Sequence, residues 1–89
     1  MTSMLAQHNV KDYSGWKKVY DSQAGFRHSS GELSNQVFHD TGNPNKLTLL
    51  FKWDSLANAQ KFAHSAELKA AMENAGVEGM PVITFLNEA

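Results

Sequence analysis

The sequence predicts an α+β fold in which two helices cover one face of a four-stranded antiparallel sheet, in the order β-α-β-β-α-β. Three observations carry this. Tyr13, Trp16, Val19 and Tyr20, and again Leu56, Ala59, Phe62, Ala63 and Ala66, recur at the intervals that gather side chains on one face of a helix. The stretches KLTLLFKWD and PVITFLN are rich in β-branched and aromatic residues, as strands are. TGNPN separates GELSNQVFHD from the first of these, so the two segments read as a hairpin. With a strand at each end, the order is the split βαβ, or ferredoxin-like, pattern.

Taken in order, Ser3 to Asn9 is a short, mixed first strand that ends at a helix-start signal, Asp12, whose carboxylate is suited to cap the next turn. The first helix follows, with Lys11, Lys17, Lys18 and Asp21 largely outside its apolar stripe, and stops before Gly25. RHSSG reads as a polar connection into the second strand. Ser55 caps the second helix directly after the third strand, and Ser65 is placed to start a separate or kinked continuation through SAELKAAMENA, halted by Gly76. Pro81 opens the last strand, where its missing N–H costs least.

At 89 residues the chain holds one domain, residues 1–89, near the size at which a single core gives only marginal stability. It has no cysteine to add a disulfide or a thiolate metal site, so oligomerisation is the expected supplement. Eight basic residues scattered among nine acidic ones are no nucleic-acid footprint. No segment approaches the ~20 apolar residues of a membrane span, and MTSMLAQHNVKD lacks the pattern of a signal peptide, so a cytoplasmic location is the default expectation. The predicted third strand sets Leu47, Leu49, Phe51 and Trp53 on one face and Thr48, Leu50 and Lys52 on the other, while the last sets Ile83 and Phe85 against Val82, Thr84 and Leu86. A sheet covered on one side only should alternate more cleanly. The second apolar face therefore predicts an interface.

HNVKDYSGWKKVYD, LLFKWDS, ANAQKFAHSAELKAAMENAGV and the closing strand together resemble the dimeric α+β barrel proteins of the antibiotic biosynthesis monooxygenase-like superfamily, over nearly the whole chain. The resemblance implies a homodimer whose sheets pack face to face, which would cover the second apolar face. Several members oxidise aromatic or polyketide substrates without metal or flavin, in a cavity between sheet and helices. By that resemblance Trp16, Tyr20, Trp53 and Phe62 line a ligand cavity; on their spacing alone, such a stripe is more often an ordinary core. The heme-degrading members place an Asn on the first strand and a Trp and a His on the second helix. Here those helix positions fall on Phe62 and Met72, and His64 lies on another side of the helix, so heme degradation is disfavoured.

The histidines at 8, 28, 39 and 64 follow no recognised ligand spacing, and no metal or cofactor is expected. In the usual strand order the first and second strands lie two steps apart, so His8 and His39 start roughly 10 Å from each other. His8, Asn9 and His39 are the polar groups expected at an apolar cavity and are the candidate catalytic residues. Glu32 and Asp40 read as solvated surface carboxylates. Two functions follow. One is a cofactor-independent monooxygenase or cyclase-like enzyme acting on a small aromatic or polyketide-like molecule; the other is a non-catalytic small-ligand-binding or structural homodimer.

Overall fold

The central strand of the sheet is the first in the chain. In the computed structural model, which describes residues 2–89, β1 (Thr2–Val10) pairs antiparallel with β3 (Asn43–Trp53) on one side and β4 (Val77–Asn87) on the other. β2 (Glu32–Asp40) adds to the far side of β3, giving the order β2-β3-β1-β4. The α+β class and the antiparallel ferredoxin-like sheet are as expected from the sequence.

The helical layer differs. It holds four helices: α1 (Tyr13–Ser22), α2 (Ala24–Ser30), α3 (Leu56–Ala63) and α4 (Ala66–Asn74). Asp12 caps α1 by accepting from the amide of Gly15 at 2.9 Å, and Trp16 is the residue α1 buries. α2 occupies the segment expected to be a polar connection. Its polarity is local only, because Phe26 packs on the core and Arg27 buries its side chain against Glu32. Ser55 caps α3 through the amide of Asn58, and Ser65 caps α4 through that of Leu68, each at 3.1 Å. The two are therefore separate helices.

The core lies between the helices and the sheet. Leu47, Leu49, Phe51 and Trp53 of β3 meet Met4, Ala6 and Val10 of β1, capped by Trp16, Ala59 and Phe62. Strand β4 begins at Val77 and not at Pro81. Gln7 pairs with Val82 and Asn9 with Glu78, so Gly79, Met80 and Pro81 bulge out opposite His8. The left-handed φ of +68° at Gly79 makes this detour. Because β4 is an edge strand, Pro81 withholds no donor from a neighbour. On the sheet's other face Phe38, Val82 and Leu86 are 51%, 61% and 40% exposed in the single chain, with Leu5 and Leu50 paired between them.

Gly31 closes α2 with φ +120°, and a Cβ there would stand 2.5 Å from Oδ1 of Asp54, which is held by Asn58. Gly31→Ala should cost about 1–3 kcal/mol in urea unfolding. Gly25→Ala, which meets nothing within 4 Å, should be neutral or stabilising by up to about 1 kcal/mol.

Candidate functional site

Alternation along β1 sends Met4, Ala6 and His8 toward the helices and Asn9 to the opposite face. Beneath α1 and α4 these residues wall a cavity of about 70 Å³, closed by Trp16, Tyr20, Phe62, Met72 and Ile83. Its walls are almost wholly apolar. Both ring nitrogens of His8 and the hydroxyl of Tyr20 are buried without a hydrogen-bond partner on the protein. Burial lowers the pKa of His8 from its ordinary 6.5, so its imidazole is neutral at pH 7. Burial also pushes the Tyr20 phenol up to about 12, with Glu32 and Asp21 adding to the rise against the pull of Arg27. The cavity wall thus holds a neutral imidazole and a phenol whose hydrogen-bonding capacity the protein leaves unused.

An aromatic column supports this wall. The His8 ring lies 6.0 Å from that of Trp16, which stacks on Tyr20 at 4.7 Å. Arg27 sits 3.8 Å from the centre of the Tyr20 ring, and its Nη1 donates to the Tyr20 carbonyl at 2.6 Å. Its Nε donates to Oε2 of Glu32 at 2.9 Å, and Asn35 donates to Oε1 at 3.2 Å. The Glu32 side chain is 0% exposed, which corrects the expectation of a solvated carboxylate. Sequence reading missed Arg27 and Glu32, and the one trace they leave is an Arg and a Glu flanking the helix-ending Gly31.

Trp16, Tyr20 and Phe62 are on the cavity wall. Trp53 is not: it is wholly buried beside Phe62, ring centres 4.9 Å apart, as core. Asn9 is exposed on the far face between Lys46 and Glu78. His39 faces the helices but is exposed on β2, edge-on to Tyr13 at 6.1 Å, with Nδ1 3.0 Å from the Asp40 carbonyl. The structure therefore does not bring His8, Asn9 and His39 together. Among the described residues no group of three His, Asp or Glu stands close enough to hold a metal ion. A second, wider groove of about 660 Å³ runs between α4 and the β4 bulge, past His64, Lys69, Glu73 and Met80. It shares Met72, Pro81 and Ile83 with the inner cavity.

No protein-family profile and no curated protein sequence matches the chain. Solved structures do. An antibiotic biosynthesis monooxygenase superposes with a TM-score of 0.77 at 14% identity, covering 100% of this chain and 99% of the other. SnoaB of Streptomyces nogalater, described as a cofactor-independent oxygenase, gives 0.81 at 9% identity over 99% and 92%. Rv0793 of Mycobacterium tuberculosis gives 0.73 at 13% over 99% and 94%. The chain has the fold of the antibiotic biosynthesis monooxygenase-like proteins, and at these identities the likeness is one of fold.

The Arg27–Glu32 pair should be costly to break and cheap to replace. Glu32→Gln or Arg27→Ala alone should lose about 3–5 kcal/mol in chemical denaturation, and the double variant Arg27→Met with Glu32→Leu should recover most of it.

Proposed function

We propose that this protein is a cofactor-independent oxygenase acting on a small aromatic or polyketide-like molecule, with His8 as the group that accepts the substrate's proton. The observation that carries this is His8 itself. Of the four histidines it alone lines the inner cavity, uncharged and with neither ring nitrogen engaged by the protein. A neutral imidazole can take the phenolic proton, and the electron-rich anion then reduces dioxygen and bonds to it at carbon as a peroxide. Loss of water from that peroxide leaves the quinone, so one oxygen atom ends on carbon, the other in water, and the substrate supplies all the electrons. Tyr20, kept as a phenol, donates to an oxygen of the bound molecule. The fold shared with SnoaB supports the same chemistry without a cofactor.

Size favours the outer groove for the body of the substrate. An apolar cavity of about 150 Å³ holds benzene, and 70 Å³ is less than half of that. The outer groove, at 660 Å³, is within the range of ligand sites, roughly 300–1,000 Å³. The substrate body occupies the groove, and its reacting edge is directed past Met72, Pro81 and Ile83 toward His8. The narrow inner cavity also favours a second reading, in which the aromatic column is simply core and the protein is a non-catalytic binding or structural homodimer.

Oxygen-electrode assays with naphthols and anthrones separate the two. The enzyme reading expects uptake above the spontaneous rate and a loss on the order of 10²-fold or more in His8→Ala. Because the base must be neutral, its rate should fall with acid only below pH 6.5, as His8 protonates at its lowered pKa. Unchanged turnover in His8→Ala would sink the assignment.

The exposed Phe38, Val82 and Leu86 further support a homodimer closed through the open sheet face. Light scattering should give about twice 9.9 kDa at micromolar concentration, falling to the monomer mass in a Val82→Lys, Leu86→Glu variant. A monomeric parent chain would rule this out.

A further inference from the structure

From the two unequal voids we infer that the inner cavity is a site for dioxygen itself, distinct from the outer groove that holds the organic substrate; the inference rests on the oxygenase reading. The volumes divide the occupants. About 10–15 Å³ is room for one water and about 150 Å³ for benzene, so 70 Å³ suits a molecule of two or three heavy atoms. The chemistry of the wall narrows this further. Apart from His8, Tyr20, Gln23 and Arg27, the wall is carbon and sulfur, with Met4, Ala6, Leu49, Phe51, Ala75 and Ile83 forming a surface into which an apolar diatomic partitions from water.

The position of the cavity also fits. It is bordered by Met72, Pro81 and Ile83, which also border the groove, so a diatomic inside lies within one layer of side chains of whatever the groove holds. His8 stands on its wall, opposite the bulge whose residues Gly79, Met80 and Pro81 line the groove. A diatomic in the inner cavity and an organic molecule in the groove would thus occupy different spaces, and neither would have to displace the other.

Xenon is the probe for the gas site. In the intact protein, methyl NMR under a few atmospheres of xenon should show saturable shifts at Met4, Ala6 and Leu49, which line the inner cavity and not the groove, with none at Val77 or Met80 in the groove. Absence of shifts, or equal shifts at Val77 and Met80, overturns the inference whatever the enzyme does. Ala71 lines the inner cavity alone, so Ala71→Leu should abolish the xenon shifts. In the oxygen-uptake assay the same variant should raise KM for dioxygen at least several-fold and leave KM for the naphthol or anthrone within about twofold. Ala6→Val is the second variant, should the first not fold by circular dichroism. A parallel rise in both KM values overturns the separate sites. Xenon binding with no oxygen uptake on any probe overturns the dioxygen role together with the oxygenase reading, whereas oxygen uptake without xenon binding overturns this inference alone.

Discussion

A guanidinium and a carboxylate, both out of water, hold one corner of this small domain. Arg27 on α2 and Glu32 at the head of β2 are each almost without solvent exposure, and a buried charge left single costs several kcal/mol. The pair therefore fixes α2 to the sheet wherever the chain folds at all. Through its Nη1 and its flat face, Arg27 then fixes Tyr20, and through Tyr20 the stacked Trp16 and the wall of the inner cavity. A chain whose core is this small depends on that anchor to hold the inner cavity's wall on a defined set of side chains.

Much of the architecture was legible because periodicity reports burial directly. The stripe through Trp16, the Ala59, Phe62 and Ala63 part of the second, and the alternation of Leu47, Leu49, Phe51 and Trp53 marked the buried face, whereas Leu56 and Ala66 at the ends of the second stripe are exposed. Reading failed where a tertiary partner overrode local chemistry. RHSSG is polar enough to pass for a loop, and only Glu32, Phe26 and the core make it a helix. Gly79 and Pro81 look like the start of a strand, yet they form a bulge within one, since an edge position removes the usual objection to proline.

The candidate site was legible only in part. β1 is too mixed for its pattern to tell which residues face inward, and a shift of one residue exchanges the two faces. His8 and Asn9 were equivalent in sequence; in the structure one is on the cavity wall and the other in water on the reverse side. Residue type named the aromatic wall but not its depth, so Trp53 could not be told from Trp16. The fold likeness to SnoaB and the other solved structures frames these positions without assigning them a role, which is why the oxygenase reading rests on His8 and the shape of the voids.

The bulge in β4 has an effect at the rim of the sheet as well as over the groove. An outer strand with an unbroken row of amides and carbonyls is a template on which further strands stack, and fibres grow by that route. At Pro81 this row lacks a donor, and at Gly79 the chain turns out of line. Lateral growth along that margin is blocked.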